Sequence, residues 1–221
     1  MPDADTKQRI LDVAERHFAE HGYAGASLRG IIKAASVNLA AVHYHFRSKE
    51  ALLEAALLRR AEPLNRERLR LLAESEARAG ASGPAVEEIL DAFVGPPMRL
   101  ILTSGEGRIF GKFVGRLHAE TGEMFARIAE KHFLPVTRRF GGVLKKVSPK
   151  MPEEELYWRL HCVSGAMAHT LSHWDQLETM SAGMLQTKDV ECVIKRMVNF
   201  LAPGFRSPAV YTRPQSGRKR K

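Results

Sequence analysis

Residues 27–46 read Ser27-Leu28-Arg29-Gly30-Ile31-Ile32-Lys33-Ala34-Ala35-Ser36-Val37-Asn38-Leu39-Ala40-Ala41-Val42-His43-Tyr44-His45-Phe46. This predicts a short helix, a tight turn and a second short helix. Ser27 stands where a side-chain oxygen can accept from the free amides that open a helix over Leu28 to about Ala35, and Asn38 does the same for Leu39 to about His45. The turn is Ala35-Ser36-Val37-Asn38. Two helices this short cannot bury a core between them, so the helix before them must serve as their base.

That base is legible upstream. Ile10, Leu11, Val13, Ala14, Phe18 and Ala19 fall on one face at helical spacing. Thr6 is placed to cap the helix, and Gly22, after His21, to end it, since glycine takes the left-handed backbone that stops a helix. Downstream, Ser48 caps a long helix that begins Lys49-Glu50-Ala51-Leu52-Leu53 and can reach Ala77, with a kink or break expected at Pro63. Further helical stretches follow at about 85–94, 97–104, 107–119, 122–147, 153–175 and 188–202. Gly95-Pro96-Pro97 reads as punctuation, and Pro135 as a kink. Helical period dominates throughout, so the fold class is all-α: a three-helix helix-turn-helix unit followed by a helical bundle.

The second short helix suits the major groove of duplex DNA, which is about 12 Å wide and admits one helix. It carries His43, Tyr44 and His45, with Arg47 and Lys49 just beyond. Tyr and His can hydrogen-bond phosphate oxygens and fix the register. The amides beside Ser48 and Lys49 form a phosphate site at a helix N-terminus. Leu39, Ala40 and Ala41 can approach thymine methyls but cannot make paired base contacts, so Arg29 is the candidate for guanine. The competing reading of His43, Tyr44 and His45 is a packed aromatic cluster. It is less favoured, although Phe46 is expected to pack inward.

These residues carry a resemblance. Ile10-Leu11 with Ala14 and Phe18, Gly22-Tyr23, Ser27-Leu28-Arg29, Ile32, Ala35-Ser36-Val37-Asn38 and Tyr44-His45-Phe46-Arg47-Ser48-Lys49-Glu50-Ala51-Leu52 are similar to the TetR family of transcriptional regulators over roughly residues 6–55. The resemblance implies a DNA-binding domain at 1–48, a helical ligand-binding and dimerisation domain at 49–205 and a basic tail at 206–221. It also implies a DNA-binding set of Ser27, Leu28, Arg29, Lys33, Asn38, Leu39, Ala40, Ala41, His43, Tyr44, His45 and Lys49. The chain departs from the family where Ser36 replaces the usual turn glycine, where Ile31-Ile32 replaces an isoleucine–alanine pair, and where Gly30 interrupts a helix. The implied protein is no enzyme and needs no cofactor. It is a ligand-responsive repressor that binds a pseudo-palindromic double-stranded operator as a homodimer.

Composition is consistent with this reading. Across 221 residues, 44% are apolar and 27% charged, which excludes a mainly disordered, collagen-like or disulfide-stapled chain. No run of about 18 apolar residues is present, so no membrane span or membrane partner is expected. Met1-Pro2-Asp3-Ala4-Asp5 has the reverse of a secretory signal's charge order, which points to the cytoplasm. Cys162 and Cys192 read as buried fillers. The net charge of +9 is uneven. Residues 206–221 hold six basic side chains and no acid, whereas 1–60 hold nine basic and seven acidic ones. The tail, with Pro208, Pro214 and Gly217, reads as disordered; it either adds phosphate attraction or is a solvated end.

In the C-terminal half, Gly107, Gly111 and Gly115 make one smooth helix face amid Ile109, Phe110, Phe113, Val114 and Leu117, with Arg108, Lys112, Arg116 and His118 nearby. Two readings stay open: close helix packing, or a chamber for a carboxylate or phosphate on a hydrophobic tail. The second would use Arg108, Phe110, Phe113, Arg116 and Leu117. The run Val163-Ser164-Gly165-Ala166-Met167-Ala168 is expected to pair with Val190, Val193, Ile194, Met197, Val198 and Leu201 of the last helix and build a four-helix dimer interface. Glu155 to His161, with Gly165-Ala166 and His169-Thr170, resembles the TetR subset that senses fatty acids or acyl-CoA. The alternative function is a metal-dependent enzyme or metal sensor using His169 and His173, with Asp175 or Glu178 nearby.

Overall fold

The computed structural model describes residues 2–184 and 189–209, leaving aside the side chains of Pro2, Asp3, His118, Asp175 and Glu178. The described residues are helical almost throughout and contain no strand. The helices in order are α1 Pro2–Gly25, α2 Leu28–Ala34, α3 Leu39–Phe46, α4 Lys49–Ala79, α5 Val86–Thr103, α6 Gly105–Glu120, α7 Gly122–His132, α8 Leu134–Val147, α9 Glu153–Ser172, α10 Trp174–Met180 and α11 Val190–Arg206. A 3-10 turn at Gly80–Ser82 links α4 to α5. The all-α expectation holds.

The apolar face of α1 does more than support α2 and α3. Ile10, Ala14 and Phe18 are fully buried, and Phe18 stacks on Phe113 of α6 with ring centroids 5.7 Å apart. Buried side chains from α1 to α11 form one contiguous core. Charge ties α1, α4 and α6 together. Arg59 of α4 pairs with Asp12 and Glu15 of α1, and Arg60 bridges Glu15 (3.3 Å) and Glu106 of α6 (2.9 Å). Glu15 is only 2% exposed, and two guanidinium groups, from Arg59 and Arg60, meet its carboxyl group there.

The helices depart from the sequence reading in five places. Helix α1 starts at Pro2, and Thr6 lies within it. Gly22 takes the expected left-handed backbone (φ 68°, ψ −177°), but the chain resumes helix to Gly25. Helix α5 runs unbroken through Gly95-Pro96-Pro97. All three are buried, and the packing they gain offsets the amides that the prolines lack. Likewise α4 continues through Pro63. The stretch 122–147 divides at Phe133, and Pro135 occupies the first turn of α8, where a missing N–H costs nothing.

The expected pairing of 153–175 with the last helix is also corrected. Helix α11 lays Ile194, Val198, Ala202 and Phe205 against α5. Helix α9 reaches its end through Arg159, which donates to the carbonyls of Gly204 (3.0 Å), Phe205 (2.7 Å) and Ser207 (2.8 Å). Gly165 of the small-residue run faces outward and does not pack on α11 within the chain. Cys162 is exposed and Cys192 half-buried, so neither is a buried filler. No described helix is long and apolar enough to cross a membrane. Of the basic tail, Arg206 closes α11 and pairs with Glu87; residues 210–221 lie outside the described ones.

Candidate nucleic-acid interface

Two caps open the short helices and a third opens α4. Ser27 Oγ accepts from Gly30 N at 3.0 Å, Asn38 Oδ1 from Ala41 N at 2.8 Å and Ser48 Oγ from Ala51 N at 3.0 Å. Each side chain satisfies an amide that has no partner inside its helix. The glycine inside α2 also has a local reason: a Cβ at position 30 would lie 3.1 Å from Ser27 Oγ. In the turn, Ser36 occupies φ 51°, the left-handed region that glycine enters without cost, and Val37 N donates to Ile32 O at 3.2 Å. The serine therefore adopts the backbone expected of a glycine. Arg47 repeats this at the end of α3, with φ 61°.

Burial then divides α3 into two faces. Val42 and Phe46 are buried beside Ile31 and the α1 face. Outward lie Asn38, Ala40 and His43, together with Leu39 (52% exposed) and Tyr44 (75% exposed). From α2, the exposed Ser27, Arg29 and Lys33 join them. Leu28, Ala41, His45 and Lys49 are half-buried. His45 lies between the rings of Tyr44 (5.1 Å) and Phe46 (5.8 Å). Lys49 Nζ sits 4.5 Å above the Tyr23 ring, and burial there lowers its pKa. The outer face thus combines a phenol, an imidazole and an amide on α3, which is held by its opposite side, with two flexible cations from α2.

The other expected site residues separate. Phe110, Phe113 and Leu117 are buried in the core, while Arg108 and Arg116 are exposed. The smooth face of α6 serves close packing. A Cβ on Gly107 would fall 1.9 Å from Leu100 O, and one on Gly111 2.9 Å from Ile101 Cγ2. His169 and His173 are exposed with rings stacked at 4.4 Å. Among the described residues, no group of three or more His, Cys, Asp or Glu could hold a metal. The side chains of Asp175 and Glu178 lie outside the described ones.

Sequence reasoning missed Arg68. It is buried and takes its place on α4 between the buried residues Ala61, Asn65 and Leu72. The signal was available: positions 57, 61, 65, 68 and 72 keep the spacing of an apolar stripe, and two of them are polar.

A family model described as the tetracyclin repressor-like C-terminal domain matches residues 91–204, and one described as bacterial regulatory proteins, tetR family, matches residues 10–56. The HTH-type transcriptional regulator UidR of Escherichia coli (strain K12) is 40% identical over 53 residues, 24% of this chain and 27% of that protein. The HTH-type transcriptional repressor AcnR of Corynebacterium glutamicum is 43% identical over 51 residues, 23% of this chain and 27% of that protein. The chain thus matches about a quarter of the length of these curated relatives. Among solved structures, a fatty acid degradation regulator FadR from Bacillus halodurans aligns with a TM-score of 0.62 at 19% identity, covering 90% of this chain and 99% of that one. A FadR from Bacillus subtilis in complex with stearoyl-CoA aligns with a TM-score of 0.63 at 19% identity, covering 89% and 98%. At such identities these two likenesses concern the fold.

Proposed function

The chain belongs to the TetR family of bacterial regulatory proteins, and we propose that within it this protein is a repressor that binds a pseudo-palindromic operator as a homodimer and is released by a small hydrophobic effector. The family is one of transcriptional regulators. The observation that carries the DNA-binding reading is the two-faced α3, held by Val42 and Phe46 and presenting Leu39, Ala40, His43 and Tyr44 outward. In this reading Leu39, Ala40 and Ala41 meet thymine methyls. Arg29 reaches a guanine, and Tyr44, His45, Lys33 and Lys49 hold phosphates together with the caps Ser27 and Asn38.

Two copies supply two recognition helices for two half-sites. Trp158 of α9 and Phe200 of α11 are 63% and 80% exposed, and they support burial of those helices against a second copy. The effector acts through α4, whose first residue is Lys49 and whose Arg59 and Arg60 grip α1. It releases DNA only by binding the DNA-incompetent state more tightly. The division at 1–48 and 49–205 follows the start of α4. A fatty-acid or acyl-CoA effector is favoured by the likeness to a structure solved with stearoyl-CoA.

The test is selection of duplexes from a random pool by the purified chain, followed by footprinting. Enrichment of one inverted repeat, with two protected half-sites about 34 Å apart and affinity that falls with salt, is expected. Enrichment of no sequence over random duplex would overturn the reading.

A further inference from the structure

Arg68 lies in the interior of the bundle, away from the ion pairs that hold Arg59 and Arg60 of the same helix. Its side chain is enclosed by α4, α5 and α9 and the residue is 8% exposed. Nε donates to Phe93 O at 2.8 Å, Nη1 reaches Asn65 Oδ1 at 3.4 Å, and Nη2 has the Met167 sulfur at 3.6 Å. The guanidinium also lies 4.7 Å above the Phe93 ring. Among the described residues no Asp or Glu pairs with it.

This differs from the treatment of charge elsewhere in the chain. Arg59 and Arg60, less buried, share three carboxylates, and Arg99 has Glu191 and Asp91. A guanidinium offers five donors in a planar fork shaped for a carboxylate. Here that fork has one good acceptor, one long one and a thioether, which is a weak acceptor on a flexible stem. Burial without a counter-charge lowers the Arg68 pKa to about 10. An unpaired buried cation opposes folding, so a site that keeps one is organised for an anion from outside.

The surroundings suit an apolar molecule. Phe93, which Arg68 covers, meets Phe140 edge-on at 5.1 Å. One turn away, a cleft of about 360 Å³ opens between α4 and α5; Pro63, Leu64, Pro96 and Leu100 form its apolar walls, and Arg59, Arg60, Glu67 and Arg99 its charged ones. Leu64 precedes Arg68 by one turn of α4, and Pro96 follows Phe93 by one turn of α5, so cleft and guanidinium share one seam.

We propose that Arg68 is the anion receptor of the effector site: an apolar molecule bearing one carboxylate seats that group on the Nη edge of Arg68, in place of the Met167 sulfur, and lays its body along the α4–α5 seam. The inference rests on the reading of the bundle as effector-responsive. It replaces the exposed Arg108 and Arg116 as the charge that selects the ligand.

The test is calorimetric titration of the full chain with octanoate, dodecanoate and palmitate and with the alcohols of equal length. The wild type is expected to prefer at least one carboxylate over its alcohol by roughly tenfold or more, the range of a hydrogen-bonded charge. Arg68→Met keeps the volume, removes the charge and is expected to bind the pair equally. Met167→Glu supplies an internal counter-charge; it is expected to raise the denaturation midpoint and abolish carboxylate binding. No preference in the wild type, a preference that survives Arg68→Met, or undiminished carboxylate binding by Met167→Glu would each overturn the assignment. Operator binding is measured on the same preparations. Intact DNA binding without carboxylate preference overturns this site alone, and the preference without DNA binding overturns the regulator reading alone.

Discussion

The Glu120 carboxylate accepts a hydrogen bond from the Tyr23 amide at 3.0 Å, fastening the end of α6 to the bend in α1 from which the two short helices depart. The bend depends on Gly22 in two ways. Its φ of 68° excludes most side chains, and a Cβ there would lie 2.0 Å from the Glu120 carboxylate. Gly22→Ala is therefore expected to cost about 2 kcal/mol or more, from the left-handed backbone and the clash together. Glu120→Ala, which removes a partly exposed bond, is expected to cost about 1 kcal/mol. Because the clash needs the carboxylate, the double variant should cost less than the two losses added. Urea denaturation of the four proteins measures this, and strict additivity would show that the two residues do not meet.

How far the fold can be read from sequence depends on how local the cause is. Ser27, Asn38 and Ser48 were legible as caps because a cap concerns one side chain and an amide three residues on. The inward packing expected of Phe46 and the outward position expected of Tyr44 from its phenol agree with their burial. The run Gly95-Pro96-Pro97 was misread because its intrinsic preference breaks helices, whereas burial against the rest of the core holds it helical. The glycines of α6 were legible as a smooth face, but not the Leu100 carbonyl and Ile101 that occupy it. Arg68 escaped because it stands in the charged run Arg66-Glu67-Arg68, which reads as a solvated face.

Ser36 is a place where the chain can be improved. A serine at φ 51° carries backbone strain of about 1 kcal/mol that glycine does not. Against that, glycine makes the unfolded chain more flexible. Since the strain is specific to the left-handed region, Ser36→Gly is expected to stabilise by up to about 1 kcal/mol while leaving DNA affinity unchanged. A thermal unfolding midpoint lower than that of the wild type would contradict it.

Acid should loosen α7 from α4. Glu54 accepts from His132 Nε2 at 2.8 Å and from Lys131 Nζ at 2.9 Å, and these bonds hold its carboxyl below the ordinary value of 4.5. A depressed carboxyl stabilises the fold at pH above its unfolded value, and that contribution fades as pH falls through the lower folded value. Wild-type stability should thus fall more steeply than that of Glu54→Gln as pH drops below about 5. Equal slopes in urea midpoint against pH would remove Glu54 from the account.

Dimerisation can be tested at the exposed aromatics. Trp158 and Phe200 keep most of their surface outside the monomer core, so their replacement should leave folding nearly intact. Trp158→Glu and Phe200→Asp put a charge where the proposed partner would bury it, at a cost of several kcal/mol to association. Light scattering after size-exclusion chromatography should show the wild type at twice the chain mass and the double variant at once that mass. A double variant still at twice the chain mass would place the interface elsewhere.

The proposed DNA face makes separable demands on Tyr44, Lys49 and Arg29. Tyr44→Phe removes one phenol donor from a side chain that is 75% exposed, so folding should be unaffected. If the phenol holds a phosphate, affinity falls by a similar factor for every duplex, on the order of fivefold per copy. Lys49→Ala should also weaken all sequences, and the salt slope should fall by about 1 for each phosphate that is no longer neutralised. The loss of the cation over the Tyr23 ring must be subtracted by measuring stability alongside. Arg29→Ala should behave differently, relaxing base preference at one position of each half-site while retaining non-specific affinity. Competition titrations against the selected operator, a single-base variant and random duplex separate these cases. If Tyr44→Phe and Lys49→Ala both bind the operator as the wild type does at physiological salt, α3 does not dock in the orientation that its exposed face suggests.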